Sequence, residues 1–317
     1  MDRKSTMARL ALLTTAIIWG SSLTVVKQST DTIPPLFLLA LRFSIAAAVL
    51  MILFRKKLRL IDRDYAKSGF LIGFFLFLAY SSQTIGVTTA MPRKSTFLSA
   101  SYCVIVPFLC IITEHRMPEV HHLAAAVLCI CGICLAVFRN GYVLSKGDGL
   151  AVLSAFLFAF HIASVSACGK GKDPFLLTIL QFISAAVFSW AGTLLFETPD
   201  VRVLHGSALI GTLYLALACT ALSLLFQNIG QKYTDPSEAS LILSLESVFE
   251  VIFGMIFFHE QLDLPMVIGF AMIFAAIIIT ETKPKLPHIK NALKRARRYH
   301  NERSASKIAV IFRSSLA

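Results

Sequence analysis

Apolar residues along this chain gather into stretches of about twenty, joined by short polar segments. A helix rising about 1.5 Å per residue needs roughly that length to cross a hydrocarbon core ~30 Å thick. Within each stretch the apolar positions run on rather than alternate. Lipid offers no partner for open backbone groups, so the pattern predicts spanning helices rather than a barrel. Ten spans are read, at about 8–26, 34–54, 68–86, 94–113, 121–138, 148–168, 174–196, 206–229, 237–258 and 264–281. The predicted fold class is therefore all-α integral membrane with ten transmembrane helices, and no joint between them is long enough for a soluble domain. The first span is read as a retained helix rather than a signal peptide. It runs past about fifteen apolar residues, contains Trp19 and shows no small-x-small cleavage site before polar sequence.

The chain of 317 residues is 56% hydrophobic and carries a formal net charge of +12. In a soluble protein that charge would suggest nucleic acid. Here its distribution points to the bilayer instead. The N-terminus, the joints after the even-numbered spans and the tail hold 23 Lys and Arg, and the joints after the odd-numbered spans hold 6. The positive-inside rule then places both termini in the cytoplasm of a cell-membrane protein, which requires an even number of spans. The seven cysteines lie in or beside apolar spans. Cys129, Cys131 and Cys134 are read as small packing residues, and no metal or cofactor is expected.

An internal repeat stands out before any motif. Gln83, Ile85, Gly86 and Pro92 recur 144 residues later as Gln227, Ile229, Gly230 and Pro236. Pro35, Leu38, Leu41, Phe43, Ala46 and Ala47 recur 139 residues later as Pro174, Leu177, Leu180, Phe182, Ala185 and Ala186. Both sets fall at corresponding places in two halves, 1–140 and 141–282, followed by a basic cytoplasmic tail at 283–317. Each half holds an odd number of spans, so the second half is expected to insert upside down relative to the first, as inverted repeats do in transporters.

The segments AIIWGSSLTVVKQ at 16–28, P-x6-R-F from Pro35 to Phe43, Q-x2-G-x2-T from Gln83 to Thr89, FLSASYCVIVP at 97–107 and SLILSLESVFEVIFGMIFFHEQL at 240–262 carry a resemblance. The chain resembles the drug/metabolite transporter superfamily, specifically EamA-type permeases, over about 8–282. Glu246, Gly254 and Glu260 stand where that family's second-half signature places them. Tyr102 is opposite Glu246 in the repeat, and Glu114 roughly matches Glu260. The resemblance implies two inverted five-helix repeats, alternating access and a small-metabolite substrate, amino acid-like or drug-like and often exported. It leaves the substrate open.

Ionisable and polar residues at membrane depth are the candidate site, because burying them in lipid is costly. Glu246 falls roughly 14 Å into the ninth span by helical rise, near the midplane, with Glu250 one turn on. His161 falls roughly 20 Å into the sixth span. Trp19 and Tyr102 lie near mid-depth, and Tyr80 and Gln83 in the outer half of the third span. Trp19, Tyr80, Gln83, Tyr102, His161 and Glu246 are the candidate substrate-binding residues, against the plainer reading of each as packing or an interhelical hydrogen bond. Arg42 and Glu250 lie at similar depths, roughly 10 and 12 Å from the outer surface, and are expected to pair, directly or through water, as coupling or structural charges. Gly20, Gly73, Gly132, Gly254 and Gly269 are expected to let backbones approach, and Pro107 to bend the fourth span. Burial disfavours the charged form of a carboxyl, so Glu246 is a candidate to carry a coupling proton.

Membrane-embedded enzymes and channels are the rival classes. The chain shows no H-E-x-x-H, no G-x-S-x-G and no P-loop, and its polar residues cluster at mid-depth rather than forming a continuous stripe. The expected function is a secondary transporter in the lipid bilayer that moves a small molecule, with protons as a candidate coupling ion.

Overall fold

The computed structural model describes residues 3–114, 120–137, 145–258 and 264–282. The basic tail, Glu260 and most of the joint at 139–147 lie outside the described residues. Every regular element among those residues is helical. They are α1 (Arg3–Gly20), α2 (Ser22–Thr30), α3 (Pro35–Leu53), α4 (Arg63–Thr89), α5 (Pro92–Ala100), α6 (Tyr102–Glu114), α7 (Val120–Val137), α8 (Lys146–Gly169), α9 (Pro174–Phe196), α10 (Gly206–Tyr214), a π-helical stretch Leu215–Leu222, α11 (Ser223–Lys232), α12 (Pro236–Leu243), α13 (Glu246–Phe258) and α14 (Leu264–Thr282), with short 3₁₀ turns at Lys57–Leu60 and Val201–Val203.

Taken across their breaks, these elements form eight helical stretches long and apolar enough to cross a membrane, among the described residues. They coincide with the first four predicted spans and the sixth to ninth. α7 and α14, at the fifth and tenth predicted spans, carry shorter apolar windows, Val120–Leu135 and Val267–Ala276. The protein is thus a multi-pass membrane protein.

Helix starts follow local chemistry. Proline occupies the first helical position of α3, α5, α9 and α12, where its missing N–H costs nothing. Asp62, Asp173 and Asp235 cap α4, α9 and α12 by accepting backbone N–H groups. Ser145 and Asp148 form a capping box at α8. At the start of α3 the Glu197 carboxylate, arriving from the end of α9, accepts the N–H groups of Leu36 at 2.9 Å and Phe37 at 2.8 Å.

Among the described residues three spans are interrupted by a turn. The first breaks at Ser21, the fourth at Ser101 and the ninth at Ser244 and Leu245. At each break a serine hydroxyl donates to the carbonyl three residues back: Ser21 to Ile18 at 2.9 Å, Ser101 to Leu98 at 2.7 Å and Ser244 to Leu241 at 2.7 Å. The backbone tightens there into i→i−3 bonds, Ser101 N–H to Leu98 and Leu245 N–H to Ile242 among them. Serine supplies locally the partners that lipid cannot. The fourth span is therefore interrupted at Ser101, whereas Pro107, the expected bend, lies inside α6.

α1 packs against α11 and α13, α4 against α8 and α9, α3 against α9, and α7 against α14. One buried cluster runs through the whole assembly. At the α1–α13 crossing Gly20 rests directly on the backbone of Phe249 and Glu250, leaving no room for a Cβ. Gly132 sits in the same way on Gly269 where α7 meets α14.

Candidate functional site

The three helix breaks meet at mid-protein around a small cavity of about 20 Å³, room for roughly one water. Its lining includes Trp19, Arg42, Tyr80, Gln83, Tyr102 and Glu246. The structure thus brings together six of the eight residues singled out from the sequence. Ser22, Leu23, Val26, Thr96 and Phe158 complete the wall. Ser22 belongs to the WGSS segment and was within reach of sequence reasoning. Thr96 and Phe158 carried no signal of their own.

Each polar side chain in the wall is held in place. Arg42 is 1% exposed, its guanidinium carbon 5.1 Å from the Tyr80 ring centroid and its Nε donating to Thr220 Oγ1 at 3.2 Å. Trp19 Nε1 donates to the Cys219 carbonyl at 2.9 Å. Both anchors lie in the π-helical stretch. There the widened turn lets the Thr220 and Ser223 hydroxyls donate to carbonyls five residues back, Leu215 at 2.7 Å and Ala218 at 2.8 Å. Tyr102 Oη donates to Glu246 Oε1 at 3.3 Å. Tyr102 is the first residue of α6 and Glu246 the first of α13, so both sit at half-helix N-termini, where the peptide dipoles favour negative charge. Gln83 Nε2 donates to Ser99 Oγ at 3.2 Å, and Ser99 is hydrogen-bonded to Ser154 at 2.9 Å.

Two candidates lie elsewhere. His161 is buried on α8 with Nε2 3.1 Å from Gln181 Oε1 and does not line the cavity. Glu250 accepts a hydrogen bond from Thr24 Oγ1 at 2.8 Å, also off the cavity. A direct Arg42–Glu250 ion pair is not formed among the described residues: Arg42 turns to Tyr80 and Thr220. Similar depth along a helix does not set which way a side chain turns. Cys129 turns away from its sequence neighbours, with Cys103 donating to it at 3.3 Å, while Cys131 and Cys134 are exposed.

Arg42 and Glu246 therefore present a guanidinium and a carboxyl to one small cavity, without an ion pair between them among the described residues. Two larger pockets of about 420 Å³ each lie beyond it. One is beside the start of α9, bounded by the α8–α9 and α11–α12 joints. The other is between α2 and α10, past the end of α9.

Comparison with known proteins accords with this architecture. The sequence pattern of the EamA-like transporter family matches twice, over residues 6–138 and 145–282. An uncharacterized transporter of Archaeoglobus fulgidus is 30% identical over 284 residues, covering 88% of this chain and 87% of the relative. Protein PagO of Salmonella typhimurium is 25% identical over 291 residues, covering 86% and 94%. The uncharacterized transporter YoaV of Bacillus subtilis is 24% identical over 282 residues, covering 85% and 95%. A solved crystal structure superimposes with a TM-score of 0.69 at 17% identity, covering 87% of this chain and 96% of that one, a likeness of fold alone. The chain belongs to the EamA-like transporter family and is a membrane transporter.

Proposed function

We propose that the protein is a secondary transporter that binds a zwitterionic, amino acid-like solute between Arg42 and Glu246 and moves it by alternating access, in the export direction. The observation that carries this reading is that a guanidinium and a carboxyl face one cavity. Arg42 is built for a carboxylate: its guanidinium is planar, permanently charged and braced by Tyr80 rather than neutralised by an acid. Glu246, on the same wall, suits the solute's ammonium group.

The chain carries two inverted five-helix halves in this reading, ten spans in all with both termini cytoplasmic. Element boundaries support it. Pro92 and Pro236, and Tyr102 and Glu246, open corresponding helices 144 residues apart, and Pro35 and Pro174 do so 139 apart. The stretches Arg63–Thr89 and Gly206–Lys232 are each 27 residues long. Tyr102 and Glu246, at equivalent positions, touch each other, as residues near a two-fold axis relating the halves would. The family pattern also matches once per half. Hinged halves around a site of broken helices are the working parts of a rocking carrier.

The test is counterflow of a radiolabelled L-amino acid panel into proteoliposomes holding the full-length protein. Arg42→Gln and Glu246→Gln each remove one pole, and each should lower the rate about tenfold or more, the usual consequence of losing a charge-assisted hydrogen bond. Parent-like rates in a well-folded Arg42→Gln protein would overturn the zwitterion assignment. Glu246 is also the residue we assign to a coupling proton. Transport indifferent to an imposed pH gradient would remove that role.

A further inference from the structure

The first span is divided, and its second segment, α2, forms one side of the central cavity. Ser22, Leu23 and Val26 of α2 line it together with Tyr80 and Gln83 of α4. One residue past Val26 the Lys27 ammonium donates to the Thr88 carbonyl at 2.5 Å, which ties α2 to the end of α4 beyond the cavity wall. That carbonyl is among the last four of α4, which intrahelical bonding leaves over, and it lies at the negative end of the helix dipole.

The chain at Ser21 is built as a hinge. Helical bonding gives way there to a backbone bond from the Ser21 N–H to the Ile18 carbonyl at 3.3 Å, and the Ser21 hydroxyl donates to the same carbonyl. α2 also has room beside it. Val25, Gln28 and Ser29 border a pocket of about 420 Å³ whose other wall includes Ala208 and Gly211 of α10. A nine-residue helix is about 13 Å long, so a turn of about 20° at Ser21 carries the far end of α2 about 5 Å.

The corresponding joint of the second half stands open. At the repeat offsets Lys27 and Thr88 are replaced by Ser166 and Lys232. Both line the other pocket of about 420 Å³, beside the start of α9. Phe160 takes the place of Ser21, and no break occurs there: α8 is one helix from Lys146 to Gly169. A broken span thus goes with a shut joint, and an unbroken span with an open one.

We propose that α2 is a gate of the central cavity, hinged at Ser21, latched shut by the Lys27–Thr88 bond and able to swing toward α10 into the pocket beside it. With the latch made, the cavity of about 20 Å³ is too small for an amino acid-sized solute, so passage on this side requires α2 to move. Lysine suits a latch. It holds one neutral carbonyl from a flexible stem, and its strongly hydrated ammonium is met by water once the joint opens. The gate rests on the carrier reading for its place in a transport cycle, but its motion is measured without transport.

The experiment uses the full-length protein in detergent, with its native cysteines replaced and Ser22→Cys placed in the cavity wall. The rate of modification by a charged methanethiosulfonate reads how often the cavity opens. Lys27→Met keeps the bulk of the stem and deletes the latch. It should speed modification about tenfold, the equivalent of one charge-assisted hydrogen bond. Lys27→Arg still donates and should stay near the parent rate. Ser207→Trp fills the pocket beside α2 from α10 and should cancel the gain of Lys27→Met. A parent-like rate in Lys27→Met would overturn the latch. A gain that persists with Ser207→Trp would overturn the swing, because general loosening of the bundle is not stopped from that pocket. The full pattern in a protein inert in counterflow would uphold the gate and count against the carrier.

Discussion

Replacing Gly20 by alanine tests the packing that holds the cavity together. A Cβ built on Gly20 stands 2.8 Å from the carbonyl carbon of Phe249 and 2.9 Å from the backbone nitrogen of Glu250. Ordinary contact begins at 3.4 Å and the Phe249 Cβ is closer still than the carbonyl carbon, so α1 and α13 must separate by more than about 0.6 Å, the 2.8 to 3.4 Å that the backbone contact alone requires. The obstruction is largely backbone, which no rotamer change relieves. Overpacking of this kind costs about 1–3 kcal/mol, roughly a five- to hundredfold loss in the ratio of folded to unfolded protein. Gly149→Ala is the control: Gly149 is exposed on α8 with nothing within 4 Å of its Cβ, and alanine there gains up to about 1 kcal/mol of helix propensity. Equilibrium unfolding in mixed micelles should therefore move in opposite directions for the two substitutions. Because Trp19 precedes Gly20 and Glu246 lies one turn before Glu250, Gly20→Ala should also lower solute counterflow in the protein that does fold. A Gly20→Ala protein as stable as the parent and fully active would refute the close crossing as the element that sets the cavity wall.

Other substitutions probe separate features. Glu197→Ala removes an anion that accepts two N–H groups at the start of α3, and should destabilise the protein by about 1–2 kcal/mol, read from the same unfolding measurement; a neutral result would show that water replaces the cap. Trp19→Phe keeps the apolar bulk but deletes the bond to the Cys219 carbonyl, costing about 1–3 kcal/mol for the stranded acceptor; no loss would mean the π-helical stretch closes on itself. On a background without native cysteines, a membrane-impermeant thiol reagent applied outside intact cells should reach Lys146→Cys and not Lys57→Cys. The reverse pattern would sink the proposed orientation. Deleting residues 287–317 should leave counterflow largely intact, and complete loss in a normally inserted truncation would assign the basic tail more than a topological role.

The sequence by itself determined what depends on distance along the chain. Lipid forces each crossing to satisfy its own backbone, so apolar length alone located the helical stretches, and helical rise was enough to single out Trp19, Tyr102 and Glu246, which the structure brings to one cavity. The Q-x-I-G-x5-P segments recur once in each of the two stretches that the family pattern matches, and the family resemblance lay in part in the same residues. Azimuth was a different matter. Helices that are apolar all round carry no stripe to say which side faces a neighbour. That is why equal depth suggested a direct Arg42–Glu250 contact that the structure does not form, and why His161 could not be separated from the cavity residues until α8 and α9 were packed. The helix breaks were hidden for a related reason. Pro107 advertises a bend in the sequence, whereas Ser21, Ser101 and Ser244 accompany breaks that a serine in an apolar span does not announce, since its hydroxyl can bond a carbonyl three residues back only where the turn tightens. Tertiary packing alone turned Arg42 onto Tyr80 and Thr220 and set it on one wall with Glu246, because a side chain's direction is fixed by the helices around it and not by its position in its own.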